Sequence, residues 1–359
     1  METVLHGEHQ RLGARSIEFG GWDMPVHYPE GILAEHHQTR TQAALFDTCH
    51  MGEFLIEGPG APAFLDGMIT SGPSDLPLGR CRYGLMLNEK GGVVDDCIAY
   101  RRGPERYLLV VNAGTRIGDF AHLKSHLVPD VRLEDASDRT GKLDLQGPES
   151  LDALDRALGI NARALPYFGF LERQDWIVSR TGYTGERGVE LYLPVEQTVG
   201  VWRRLLEDAA VKPAGLGARD TLRTECGLSL YGHELAADVP VSACGVDRFL
   251  RSKAGFLGKK ALERERAAGG PALKAAGLMS DSKSAPRAGE IVLLNGEPVG
   301  QITSGCLSPC LERGIALARL RAGLEGKIGL ELAVDKGRRA LPVRIAELPF
   351  YKQGTARAG

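Results

Sequence analysis

Two adjacent carboxylates, Asp95 and Asp96, stand in an otherwise apolar run that covers residues 93–100. The run has the composition of a β-strand, in which successive side chains point to opposite faces. At most one of the two carboxylates can therefore enter a given pocket. Because burying a charge costs free energy unless the charge is paired or used, the pattern favours a functional role for one of them. The alternative is that one or both face solvent.

A glycine-rich segment, 181–188, offers a second place for chemistry, with three glycines in eight residues. Backbone without a Cβ atom can approach a ligand closely, and Tyr183 could present its ring face there. A long hairpin loop is an equally good interpretation. Glu190, two residues into the strand that follows, carries no signal of its own.

Metal and dinucleotide patterns are weak in this chain. His36 and His37 are neighbours on a predicted helix and so point in different directions, and Cys306 and Cys310 lack a second pair of ligands nearby. We therefore predict no metal site. The string at 215–220 lacks the third glycine of a dinucleotide fingerprint, and no clear strand leads into it, so a helix start is favoured.

Strands and helices that could position these residues follow from local patterns. Helices are predicted at 31–46, 61–70, 196–209 and 217–228. Strands are predicted at 83–87, 93–100, 107–112, 175–180 and 189–193. Short connections between successive strands indicate antiparallel pairing.

After residue 272 the predicted elements are all strands, and an Ala- and Gly-rich linker at 267–272 precedes them. Asn295-Gly296 is a strong hairpin signal, since both positions tolerate positive φ. Strands are predicted there at 289–294, 298–303, 314–320, 327–334 and 341–347. This stretch is predicted to form a small all-β domain, closed or nearly closed to hide its edges.

Length and composition limit the classes of protein. The chain of 359 residues suggests two or three domains. It carries 44 Lys and Arg against 46 Asp and Glu, without a basic stripe, so no nucleic-acid partner is expected. No apolar run approaches the roughly 18 to 20 residues that span a bilayer, and the N-terminus has no signal-peptide pattern. An odd, scattered set of seven cysteines indicates reduced thiols and a cytoplasmic location.

Short strings spread along nearly the whole chain carry more information together than singly. They lie at 20–25, 50–55, 88–96, 110–113, 145–148, 179–186, 213–223, 230–232, 258–262, 302–305 and 315–318. In this order they resemble the T-protein of the glycine cleavage system, a family of tetrahydrofolate-dependent aminomethyltransferases.

The resemblance implies an α+β fold of three domains around a folate cavity, with antiparallel sheets, flanking helices and a C-terminal β-barrel. The first domain would be discontinuous, at 1–53 and 140–236. The second, carrying Asp96, would be inserted at 54–139 and 237–271. The barrel would cover 272–359.

The family's site residues carry over by motif position. Asp96 matches the catalytic aspartate at the folate nitrogens, and Glu190 matches the glutamate that holds the pterin. The other matching positions would line the folate cavity: Met51, Tyr83, Asn112, Tyr167, Tyr183 and Arg219. A carboxylate can accept two pterin N–H groups at once, and a flat ring suits aromatic or sulfur-bearing partners. Arg219, or a neighbouring arginine, would suit the carboxylates of the folate tail.

The implied reaction moves the methylene of a lipoyl-bound aminomethyl group to tetrahydrofolate, the one-carbon acceptor, with release of ammonia. The implied partner is the lipoyl-carrying H-protein.

Several positions depart from the family pattern. Cys49, Cys306 and Cys310 stand where serine or other small hydroxyl residues are usual, and 239–249 lacks a customary glutamate and tryptophan. These departures leave open a folate-dependent demethylase or another one-carbon transferase on the same fold. An accessory protein for iron–sulfur cluster maintenance would carry a Lys-Gly-Cys-Tyr-x-Gly-Gln-Glu string, which the chain lacks.

Overall fold

The computed structural model describes residues 1–337 and 339–357, which form helices and mainly antiparallel sheets. The strands are β1 (Arg15–Phe19), β2 (Trp22–His27), β3 (Ala43–Asp47), β4 (Gly52–Glu57), β5 (Arg80–Leu87), β6 (Val93–Gly103), β7 (Arg106–Val111), β8 (Arg132–Asp135), β9 (Thr140–Gln146), β10 (Phe170–Arg173), β11 (Trp176–Ser179), β12 (Gly188–Pro194), β13 (Val211–Pro213), β14 (Leu273–Met279), β15 (Ile291–Leu294), β16 (Glu297–Ser308), β17 (Arg313–Arg321), β18 (Glu331–Asp335) and β19 (Ala340–Ala346). The α-helices are α1 (His6–Arg11), α2 (Gly31–Thr41), α3 (Ala61–Met68), α4 (Arg116–Ser125), α5 (Ser150–Leu158), α6 (Val195–Leu206), α7 (Leu216–Glu225) and α8 (Lys259–Ala267). Single turns of 3₁₀-helix lie at Pro73–Asp75, Ser137–Arg139, Val241–Ala243 and Asp247–Phe249.

A six-stranded sheet, called the first sheet below, has the order β10-β11-β12-β9-β3-β13. Only β13, at its edge, runs parallel to its neighbour. Along β9 the side chains alternate: Leu143 and Leu145 pack in the core that α5 and α6 also enter. Lys142, Asp144 and Gln146 lie on the other face and are nevertheless fully buried. The sheet therefore has one apolar face and one polar face that is covered by another part of the molecule.

That part is the second sheet, a five-stranded antiparallel sheet of order β5-β6-β7-β4-β8. One of its faces packs on α3 and α4. The other contributes Tyr100 and Val110 to a cluster that includes Tyr192 of the first sheet. The register between β5 and β6 shifts at Met86, which pairs with Asp95, so Val94 has no partner of its own. Such a bulge increases the local twist just before the two acids.

The C-terminal strands form a closed barrel of order β14-β17-β16-β15-β18-β19 around its own apolar core. Closure removes the unpaired strand edges. In the hairpin of β15 and β16, Asn295 and Gly296 have φ of 53° and 86°. The predicted hairpin, the closed all-β domain and the α+β class are confirmed.

The helix predicted at 31–46 is wrong in its last five residues, 42–46. Helix α2 ends at Thr41, and Ala43–Asp47 is strand β3, every residue of which is buried between β9 and β13. The Ala-Ala-Leu-Phe composition favours a helix locally, but a place in the middle of a sheet overrides that preference. The strand predicted at 327–334 likewise begins only at Glu331. The three-domain boundaries stay a prediction.

Among the described residues, none of the helices combines the length and the hydropathy needed to cross a membrane.

Candidate active site

A cluster of four charges, three of them buried, lies between the polar face of the first sheet and helix α7. Lys142 Nζ donates to Asp144 Oδ1 at 2.6 Å and to Glu190 Oε1 at 2.8 Å. Arg219, on α7, donates through Nη1 to Asp144 Oδ2 at 2.7 Å. Register explains the grouping, since Glu190 of β12 is paired with Asp144 of β9. Two cations and two carboxylates balance, which is the arrangement that buried charges require.

The pKa values of Lys142 and Asp144 shift so that both groups keep their charges. Burial by itself lowers the pKa of Lys142, but Asp144 and Glu190 outweigh burial and raise it. Burial raises the pKa of Asp144, but Lys142 and Arg219 outweigh it and lower the pKa. Both groups are therefore ionised at neutral pH.

Both oxygens of Glu190 accept hydrogen bonds from protein groups. Oε1 accepts from Lys142, and Oε2 accepts from the Thr181 hydroxyl. The hydroxyls of Tyr100 and Tyr192 lie 3.4 Å from Oε2. The polar network thus holds the orientation of this carboxylate before any ligand binds.

Asp96 approaches from the second sheet. Asn112 Nδ2, just beyond the end of β7, donates to Asp96 Oδ1 at 2.8 Å. Burial and then the nearby charge of Asp95 raise the pKa of Asp96 to about 7, while hydrogen bonding from Tyr83 and Asn112 works in the other direction. A carboxyl with that pKa can exchange a proton near neutral pH. The ring of Tyr83 packs on Phe249 with centroids 4.5 Å apart.

Asp95 does not face solvent, so that alternative is wrong for Asp95. Asp95 is fully buried, while Asp96 is half-buried on the opposite face of β6. Asp95 Oδ2 accepts the backbone N–H of Asn112 at 2.9 Å, and Oδ1 accepts Nδ2 at 2.8 Å. One amide therefore connects two carboxylates that lie on different faces of the strand.

The remaining predicted residues fall into separate places. Met51 packs against the apolar cluster between the sheets. Tyr183 lies under Arg219, whose guanidinium carbon is 5.0 Å from the ring centroid, and its hydroxyl donates to Ser229 O. Tyr167 lines a cavity of about 160 Å³ together with Arg180.

The position of Arg219 does not favour a contact with the folate tail. The arginine is bound to Asp144, in the same cluster as Glu190, which is the residue predicted to hold the pterin. The tail carboxylates lie at the opposite end of folate from the pterin edge. If Glu190 holds the pterin, Arg219 in the same cluster is therefore too far from the tail carboxylates to contact them. Arg180 is the arginine beside Tyr167 instead, 4% exposed, with Nη1 donating to Gly188 O.

The glycine-rich segment is a hairpin loop, because it connects β11 and β12, which pair. Its glycines approach other parts of the protein closely. A Cβ atom on Gly182 would lie 2.0 Å from Gln146 Oε1, and one on Gly185, at φ 79°, would lie 2.2 Å from Cys226 Sγ.

Sequence reasoning missed Lys142, Asp144 and Phe249. A signal for the first two existed: Lys142, Asp144 and Gln146 alternate with Leu143 and Leu145, as on a strand with one polar face. Such a face is normally solvated, so only the second sheet shows that it is interior. Phe249 lies in the segment noted for lacking a tryptophan, and supplies an aromatic ring there.

One group among the described residues has metal-ligand chemistry: His36, Glu225 and Cys310. His36 Nε2 lies 3.2 Å from Glu225 Oε2 and 3.4 Å from Cys310 Sγ. Arg40 Nη2 donates to the same Oε2 at 2.7 Å, so a cation already neutralises this carboxylate. All seven cysteines are described and free. The absence of a metal stays a prediction.

Comparison with known proteins identifies relatives over the full length of the chain. A family model of the GCVT N-terminal domain matches residues 5–254, and one of the glycine cleavage T-protein C-terminal barrel domain matches 274–352. Aminomethyltransferase of Geobacillus kaustophilus is 40% identical, covering 98% of both chains. That of Rubrobacter xylanophilus is 42% identical, over 98% of this chain and 94% of the relative. The crystal structure of glycine cleavage system aminomethyltransferase T from Bartonella henselae superposes with a TM-score of 0.94 at 33% identity, covering 99% of each chain.

Proposed function

The chain belongs to the glycine cleavage T-protein family, and we propose that Asp96 is the proton-transferring group of its aminomethyltransferase reaction, with the folate held between the two sheets. The protein is an aminomethyltransferase of the glycine cleavage system. The observation that carries the assignment of the site is the position of Asp96, with a pKa of about 7, at the sheet facing the buried Lys142–Asp144–Glu190 cluster. Neither the demethylase nor the iron–sulfur accessory protein is favoured by these relatives.

Folate dependence is a property of the family, and the residues between the sheets fit tetrahydrofolate. Glu190 is buried and preoriented, and a carboxylate has about four acceptor positions. Its contacts with the Tyr100 and Tyr192 hydroxyls are long, 3.4 Å, and pterin N–H groups can replace them. Met51, Tyr83 and Tyr183 supply sulfur and ring faces for a flat ligand. When bound, tetrahydrofolate supplies the amine nitrogens that accept the one-carbon unit.

Asp96 would act next to those nitrogens. Its carboxylate, held by Asn112, can accept a proton from an ammonium nitrogen and can stabilise positive charge that develops beside it. Half-burial of Asp96 limits competition from water for the same oxygens.

We propose the lipoyl-carrying H-protein as the donor and the cytoplasm as the location. Aminomethyl-loaded H-protein should give ammonia and methylene-tetrahydrofolate in equal amounts with this enzyme. Turnover of a small methylated compound in place of that donor would contradict the assignment.

Tetrahydrofolate should raise the thermal melting temperature, because it binds the native state. At about 100 times Kd the stabilisation is about 2.7 kcal/mol. Glu190→Gln should weaken folate binding by about 10-fold, because the amide has one acceptor oxygen where the carboxylate has two. Thermal melts over a folate titration measure both, with exposed Glu196→Gln as the matched control. An unchanged affinity in Glu190→Gln would show that the pterin lies elsewhere.

The activity should depend on the ionisation of Asp96. A proton acceptor works only when deprotonated, so kcat/KM should fall as the pH decreases through about 7 and level off above it. The pH profile of kcat/KM for tetrahydrofolate, measured with saturating H-protein, tests this. An acid limb near the ordinary aspartate value of 3.8 would contradict the assigned environment of Asp96.

A further inference from the structure

A second buried acid lies behind the site and takes no part in the chemistry described so far. Asp119, in the first turn of α4, is fully buried, as is Asp95 of β6. Its carboxyl group lies against that of Asp95. Among the described residues, neither oxygen of Asp119 has an N–H or O–H donor in hydrogen-bond geometry.

The nearby groups do not supply the missing donor. The Thr115 hydroxyl is close to both acids, but it has a single hydrogen, and the acceptor that lies in hydrogen-bond geometry is Asn112 O at 3.1 Å. No basic side chain is among the groups that act most strongly on either carboxyl. Two adjacent carboxylates without a cation cannot both be ionised. A proton shared between them satisfies an oxygen on each side and removes one of the two charges.

The titratable groups around this pair are Asp96 and Cys97 on β6 and Tyr231 on the segment after α7. Burial raises the pKa of Cys97 and of Tyr231, so both stay neutral. Burial and then Asp95 raise the pKa of Asp119 to about 10, in agreement with the proton's lying on Asp119. The charge of the pair then rests on Asp95.

We propose that Asp119 is a positioning residue: it holds a proton and donates it in a hydrogen bond to Asp95, which fixes the Asn112 amide that orients Asp96. The chain of contacts runs from Asp119 through Asp95 to Asn112 and then to Asp96. The kinetic part of this inference rests on the proposed role of Asp96, whereas the shared proton does not.

Two substitutions at Asp119 separate this role from simple packing. In Asp119→Asn the amide N–H can replace the acid O–H as donor to Asp95. We expect kcat and its acid limb to stay within about 3-fold and a few tenths of a pH unit of the wild type. In Asp119→Ala the donor is lost, and we expect kcat at pH 7 to fall by about 10-fold, with folate affinity nearly unchanged.

The acid limb distinguishes positioning from damage. Without its donor, Asp95 takes up the proton itself, and the loss of its charge lowers the pKa of Asp96. The acid limb of Asp119→Ala should therefore move to lower pH. Exposed Lys124→Ala, on the same helix, is the matched control and should leave kcat, affinity and the profile unchanged.

The proton itself can be observed without turnover. The infrared difference spectrum of wild type minus Asp119→Asn at pH 8 should show the C=O stretch of a protonated carboxylic acid that only the wild type has; the subtraction removes the signal of other buried acids with raised pKa, such as Glu53. Absence of the band in the wild type would overturn the shared proton, even if Asp119→Ala did not fold. Equal loss of kcat in the Asn and Ala variants, with unshifted profiles, would overturn the positioning role. Normal turnover by an Asp96→Asn variant, with the band present in the wild type, would instead locate the error in the role of Asp96.

Discussion

Replacing Asp96 with Asn is expected to lower kcat by about 10² to 10⁴, which corresponds to roughly 3 to 5 kcal/mol of activation free energy. The amide keeps the size of the side chain and can still contact Asn112, but it carries no negative charge and accepts no proton. Folate affinity and melting temperature should change little. Steady-state kinetics with aminomethyl-loaded H-protein, together with thermal melts, measure all three quantities.

Two further Asp→Asn variants serve as controls for that result. Asp95→Asn should lower kcat by only about 10-fold, since Asp95 acts through the Asn112 amide and does not reach the reacting atoms. Asp175→Asn, on an exposed turn, should be indistinguishable from the wild type. If Asp95→Asn were the more damaged enzyme, Asp95 and not Asp96 would be the acid of the site. Normal turnover in both Asp95→Asn and Asp96→Asn would show that neither acid of β6 is catalytic.

Replacing Lys142 with Met is expected to reduce the free energy of unfolding by about 3 to 5 kcal/mol. The substitution keeps the length of the side chain but leaves Asp144 and Glu190 without the cation that both contact. Lys212→Met is the matched control, because Lys212 pairs with Glu30 on an exposed surface. That variant should cost no more than about 1 kcal/mol. Denaturant unfolding curves of the two variants give the comparison, and similar losses would contradict a buried, balanced cluster.

The pH dependence of stability offers a second measurement on the same variant. Because Lys142 and Arg219 outweigh burial and lower the pKa of Asp144, this carboxylate contributes stability above its ordinary value of 3.8. The contribution is lost as the pH falls through the lower folded value. In Lys142→Met the loss of stability on acidification should be shallower, since part of that interaction is already gone.

Local patterns were enough where neighbours in sequence are also neighbours in space. The Asn295-Gly296 hairpin joins two strands that are consecutive in the chain. The barrel was predicted from its succession of short strands, but its closure depends on the distant pairing of β14 with β17 and β19. Strand β3 could not be found in this way, because its partner β9 lies beyond the whole second sheet. Its composition alone indicated a helix.

The candidate site shows the same division. Asp96 was found because an acid in an apolar strand is unusual, and the order of the family motifs supplied its role. Lys142 lies 48 positions from Glu190, and Arg219 lies 75 from Asp144, so no local pattern could predict that they pair. The contact between Asp95 and Asp119 similarly requires knowing that α4 packs on the back of β6.

The placement of β3 and β9 side by side has a consequence for the order in which the chain folds. The entire five-stranded sheet lies in the connection between these two strands, which pair antiparallel. Closing so long a connection is entropically costly and slow while it is unfolded. A folded second sheet holds the ends of the connection close together and reduces that cost. We therefore expect β9, with Lys142 and Asp144, to join the first sheet only after the strands of the second sheet, which carry Asp96, have paired. The two halves of the site would then form one after the other and come together in the last step of folding.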